Sequence, residues 1–179
     1  MLLLVDCSDG ITAATSDGKI RRDNGDNYKL PQVIEGLDID FKNIKAIGAV
    51  VGPGSFTGIR IAIAWAKGAA IALDVPVIPI SRLEAALRKN PDAVIAIDNK
   101  KDGYFVQSKE LPACSTAELP SNAIMNPELD LNIAFEIMKE KIGSKEPVIP
   151  LYLKPHYAEQ PYRHTGESRY PGHKSRVSG

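Results

Sequence analysis

The feature that most limits the possible folds is a short pattern that occurs twice. Leu2-Leu3-Leu4-Val5-Asp6-Cys7-Ser8-Asp9-Gly10 and Val94-Ile95-Ala96-Ile97-Asp98-Asn99-Lys100-Lys101-Asp102-Gly103 share one layout: four apolar residues, an aspartate, a short polar stretch, then Asp-Gly. β-favouring residues follow in both places, so each copy reads as a strand, a tight turn and a return strand. The repeat alone leaves two readings open: a duplicated, two-lobed chain, or an ordinary α/β chain whose strands happen to end in aspartate.

The rest of the chain alternates strands and helices. Ile11–Thr15 lies between the turn signals Asp9-Gly10 and Asp17-Gly18, which predicts an antiparallel three-strand meander with its last strand around residues 19–22. Leu30, Val33, Ile34 and Leu37 fall on one helical stripe, and Pro31 suits the first turn of that short helix. Strands are expected at 46–51, 75–80, 94–97 and 148–153, and helices at 57–73, 82–88 and 131–142. Residues 112–127 read as loop. The expected division is a first lobe over 1–90, a reduced second lobe over 91–160 and a flexible basic tail over 161–179. Within the tail, residues 163–179 carry four Lys/Arg against one Glu and offer few apolar anchors to repay the cost of ordering.

Between the strand at 46–51 and the long helix stands Gly52-Pro53-Gly54-Ser55-Phe56-Thr57-Gly58-Ile59-Arg60. A glycine turn before a helix N-terminus can hold an anion, because free N–H groups converge there. The spacing is neither the dinucleotide fingerprint nor a Walker A loop, since no Gly-Lys-Ser/Thr follows. The other reading is a tight strand-to-helix turn with Ser55 or Thr57 capping the helix. From Ile59 to Leu73 the helix has only Arg60 and Lys67 as charges, seven residues apart, among Ile, Leu, Trp65 and many small residues. An apolar circumference that wide implies cover on two sides. The sheet supplies one, and a partner helix on a face containing Ile59, Ile63, Ala66 and Ala70 is the expected other.

Chemistry-bearing residues are sparse. Asp6 and Asp98, at the two strand ends, are candidates for a vestigial nucleotide site, but their turns lack the glycines of a phosphate clamp until Gly10 and Gly103. A strand-end or turn contact is the simpler role. His156, His164 and His173 have no metal-ligand spacing, and no nucleophile elbow is present. Cys7 reads as a small core residue. Neither a catalytic residue, a metal nor a cofactor is expected. Lys+Arg and Asp+Glu balance at 22 each, so no basic excess points to direct nucleic-acid contact. Two cysteines suit a reducing compartment. The apolar stretch 61–73, interrupted by Lys67, reads as too short for a membrane span.

Gly52-Pro53-Gly54-Ser55-Phe56-Thr57-Gly58-Ile59-Arg60-Ile61-Ala62 closely resembles the signature of the TsaB (YeaZ-like) family, ASKHA-fold proteins once filed with the M22 glycoproteases. The Leu-Val-Asp opening, Pro76 to Glu84, Ile97-Asp98 with Tyr104, and Pro150 to Pro155 agree, so the resemblance covers about residues 1–160. It implies an α/β actin-like (ribonuclease H-like) fold with an abbreviated second lobe. It also implies a non-catalytic cytoplasmic partner of a TsaD-type subunit and a TsaE-type ATPase, in threonylcarbamoylation of adenosine 37 of tRNAs reading codons that begin with A. Contact with tRNA would be indirect, and relatives also pair with themselves through the first lobe. The first helix is shorter than in the family, which bears on that pairing. The competing class is an enzyme: a small actin-like ATPase or kinase, or an M22-type peptidase.

Overall fold

The computed structural model describes residues 1–101 and 103–153; the expected tail at 161–179 and all three histidines lie outside them. In the first lobe, β1 (Leu2–Asp6), β2 (Ile11–Thr15) and β3 (Ile20–Asp23) form the meander, with Gly10 and Gly18 at positive φ in its turns. A turn of 3-10 helix at Asn27–Lys29, the short α1 (Leu30–Glu35) and a second 3-10 turn at Phe41–Asn43 lead to β4 (Ala46–Gly52). Then come α2 (Phe56–Leu73), β5 (Val77–Ser81) and α3 (Arg82–Lys89). The sheet order is β3-β2-β1-β4-β5, with β1 antiparallel to β2 and parallel to β4.

Strand alternation divides this sheet's side chains between two faces. Leu3, Val5, Ile47 and Ala49 pack with α1 and α2, while Leu2, Leu4, Ala46 and Val50 face the other way. That second face is covered by Ala85 of α3 and by Ala134, Phe135, Ile137 and Met138 of α4 (Leu131–Lys141). Every residue of β1 and β4 is therefore buried.

The second sheet comprises β6 (Val94–Asp98), β7 (Tyr104–Gln107), β8 (Cys114–Thr116) and β9 (Ala123–Met125), in the order β8-β7-β6-β9. β6 pairs antiparallel with β7 and parallel with β9. Strand for strand this repeats β3-β2-β1-β4, the duplication that the two Asp-Gly openings suggested. The molecule has the actin-like α/β fold with two sheets.

Three expectations need correction. Residues 112–127, read as loop, contain β8 and β9, strands of three residues each that are too short to show alternation. Residues 148–153 form no strand. Pro147 and Pro150 have no N–H to donate to a ladder, and among the described residues one backbone bond, from Leu151 N to the Val51 carbonyl at 2.9 Å, ties the segment to the first lobe. Val148 and Leu151 pack on the first-lobe core all the same. Finally, the division at residue 90 separates the strands of the two sheets, but α4 returns to close the first lobe.

Candidate functional site

Three features meet around the N-terminal end of α2: the glycine loop, the cleft between the two Asp-ended hairpins, and the outer face of the helix.

The loop's glycines are demanded by close packing. A side chain on Gly54, at φ +156°, would put its Cβ 2.5 Å from the Ser8 carbonyl oxygen; at Gly58 the same atom would lie 1.9 Å from the Cys7 carbonyl. Ser55 N donates to the Ser8 carbonyl at 2.7 Å, and Ser55 Oγ accepts from Gly58 N at 3.2 Å. The loop thus clamps α2 onto the β1–β2 hairpin, with Ser55 as the N-cap and Thr57 exposed. Gly52, at φ +113°, and Pro53 complete the turn. Phe56 and Arg60 point outward. The Arg60 guanidinium sits 3.8 Å from the Phe56 ring centroid, and its Nη2 donates to Tyr152 Oη at 2.9 Å.

The hairpin aspartates behave alike in the backbone. Asp6 Oδ1 accepts from Ser8 N at 2.7 Å, and Asp98 Oδ1 accepts from Lys100 N at 2.7 Å. Both turn back on their own hairpins. Their surroundings differ. Asp6 is 7% exposed, and burial raises its pKa against the lowering effect of the Ser8 hydroxyl and amide and the Arg82 charge. Asp98 is half-buried, and its own N–H donates to Asn126 Oδ1 at 2.9 Å. Burial also pushes the Cys7 thiol up to about 12, so it is not a thiolate near neutral pH.

The aspartates face adjoining cavities of about 220 and 410 Å³, and Arg82 lines both. Arg82 and Tyr152 escaped sequence reading. An Arg opening a helix looks like any surface residue, and Tyr152 lies 92 residues from the arginine it holds. Among the described residues, no three His, Cys, Asp or Glu side chains gather as a metal-binding group.

The expected partner face of α2 is corrected by its rotation. Ile59, Ile63, Ala66 and Ala70 are 6%, 6%, 0% and 5% exposed, buried in the chain's own core. The physical reason is Gly58. Its contact with the hairpin fixes the helix phase, so residues 58, 59, 62, 63, 66 and 70 must face the sheet. The opposite face carries Phe56, Arg60, Ala64, Lys67, Gly68 and Ile71, all exposed, with Ile71 at 84%. Because the helix starts at Phe56, its 18 residues are long and apolar enough to cross a membrane by length and composition. Spanning would require removing its buried side from the first-lobe core.

Comparison with known proteins gives a consistent set of likenesses. A family model described as TsaD, tRNA N6-adenosine threonylcarbamoyltransferase, matches residues 30–107. The tRNA threonylcarbamoyladenosine biosynthesis protein TsaB of Haemophilus influenzae is 34% identical over 85 residues, 44% of this chain and 36% of the relative. The TsaB protein of Buchnera aphidicola is 33% identical over 82 residues, 42% of this chain and 37% of the relative. The chain thus spans little more than a third of the length of these curated relatives. Among solved structures, a Pseudomonas aeruginosa protein with similarity to peptidase YeaZ superposes with TM-score 0.67 at 19% identity, covering 85% of this chain and 98% of the other. YeaZ from the same organism gives 0.62 at 18%, covering 85% and 99%. At these identities the structures speak for the fold alone.

Proposed function

We propose that the chain, which resembles TsaB and YeaZ proteins, serves tRNA threonylcarbamoyladenosine synthesis as a non-catalytic subunit in the cytoplasm. It docks on a TsaD-type subunit, works alongside a TsaE-type ATPase, and pairs with a second copy of itself when alone. It meets tRNA only through that complex, in keeping with its balanced charge.

The observation that carries this reading is the outer face of α2. Ala64 and Gly68 are small enough to let another helix approach closely, Ile71 is 84% exposed, and Phe56 is 58% exposed. An apolar helix face of this kind gains most by burial against a partner. The non-catalytic part draws support from the other two features. The loop glycines and Ser55 are spent on packing and capping, both hairpin aspartates bind their own turns, and Cys7 is buried and protonated.

The test is binding of folded variants to the TsaD-type subunit. Ala64→Arg and Gly68→Arg place a long charged side chain on the open face, and each should leave the circular dichroism spectrum and melting temperature nearly unchanged. Each should weaken association by about 2 kcal/mol or more, read by pull-down and size-exclusion chromatography. Wild-type affinity in both would overturn the docking face. ATP hydrolysis or peptide cleavage by the purified chain, abolished by Asp6→Ala, would overturn the non-catalytic reading in favour of the enzyme class.

A further inference from the structure

We infer that the cleft between the lobes holds a small molecule by an oxyanion head, a carboxylate or a phosphate, bound through the guanidinium of Arg82. This rests on the chain's own cleft and not on the proposed partner face. Arg82, the first residue of α3, is only 7% exposed. Its Nη2 donates to the Pro127 carbonyl at 3.3 Å, while its buried Nε–H has no partner. None of the ion pairs among the described residues includes it.

A guanidinium removed from water with so few bonds is costly unless something else meets its charge. Asp6 is near enough for the Arg82 charge to lower its pKa, but its Oδ1 is held by Ser8 N–H and it forms no ion pair with Arg82. The donors of an arginine lie in a fixed planar fork that suits the two oxygens of a carboxylate or phosphate.

The space in front of Arg82 is adequate. The cavities of about 220 and 410 Å³ meet at Arg82, Asp9 and Asn24. Around the larger cavity, Asp9 and Asp98 stand against Lys100 and Arg82, so the charges balance. Carboxylates at the rim disfavour a polyanion and favour amino or hydroxyl groups on the rest of the molecule. The ligand class is therefore a small hydroxylated or zwitterionic compound with a single oxyanion head.

The experiment uses the full chain, ¹⁵N-labelled, with the Arg82 Nε–Hε cross-peak as reporter. Inorganic phosphate and glycolate are titrated separately, with chloride at matched ionic strength as reference. One or both probes should shift that cross-peak saturably, and the tighter of the two identifies the head group. Arg82→Met keeps the stem and removes the charge; it should weaken binding by roughly tenfold or more, as expected for loss of hydrogen bonds from a charged group. Arg82→Lys, which restores charge without the fork, should recover only part of it. The inference is overturned if neither probe moves the wild-type cross-peak, if chloride moves it equally, or if cleft backbone shifts persist unchanged in Arg82→Met. Should Arg82→Met not fold, the wild-type cross-peak decides the matter in either direction.

Discussion

In the first lobe, β1 lies between β2 and β4 with helices on both faces, and all five of its residues are buried. Its counterpart β6 has the same neighbours in the same directions, β7 and β9, yet both of its ends are half-exposed. Leu83 and Ala86 of α3 pack on Ile95 and Ile97, but β8 and β9 have no fully buried residue. The two hairpins are built alike, each with an aspartate bonded to the amide two residues on. Strand pairing is thus repeated while cover is not. The lesson is that hairpin formation follows local sequence, whereas burial, and the electrostatics that go with it, follow from how many helices reach a sheet.

Two crowded glycines, one in each lobe, separate the lobes most strongly. In Gly58→Ala the new Cβ would meet the Cys7 backbone carbonyl at 1.9 Å, inside the fully covered lobe. A loss of about 3 kcal/mol or more is expected, read by urea denaturation, or no soluble protein at all. In Gly103→Ala the Cβ would meet the Thr116 carbonyl at 2.2 Å, but β8 is a half-exposed strand of three residues that can shift. Its loss should be clearly smaller. Equal losses would mean that the second lobe is as rigid as the first.

A milder pair compares the helix that closes the first sheet with a strand of the second. Ile137 of α4 is fully buried, and Ile137→Ala should cost about 2–5 kcal/mol. Ile124 of β9 is half-buried, and Ile124→Ala should cost less, about 1–2 kcal/mol, since a partly exposed side chain gives up less burial. A larger loss at Ile124 would reverse the ranking of the lobes.

The smallest effect concerns Asp6. Burial makes its ionised form costlier in the folded chain than in the unfolded one, so folding favours proton uptake there. That contribution is present in full below the ordinary value of 3.8 and is lost as pH rises through the raised one. Asp6→Asn keeps an oxygen for the Ser8 amide and removes the buried charge. The variant should therefore gain stability relative to wild type as pH rises from 4 towards 7, read as a widening difference in melting temperature. A constant difference across that range would show that Asp6 contributes no pH dependence.

Much of this was legible in the residues themselves. Asp-Gly turns between apolar runs defined both hairpins, and the Leu30–Leu37 stripe defined α1, because turn geometry and amphipathic period are local properties. The glycine loop's role as a capped turn was legible too, through Ser55. Which side of α2 faces the sheet was not, because a helix of Ile and Ala shows no single apolar stripe; the contact of Gly58 with Cys7, 51 residues away in the chain, decided it. Nor could sequence reveal β8 and β9, which owe their strand geometry to β7 and β6. Arg82 likewise became a candidate ligand residue only when α3, the β1–β2 hairpin and the segment before α4 closed around it. Local sequence determined turns, periods and caps; the meeting of distant segments determined faces, burial and charge environment, because desolvation depends on everything that packs nearby.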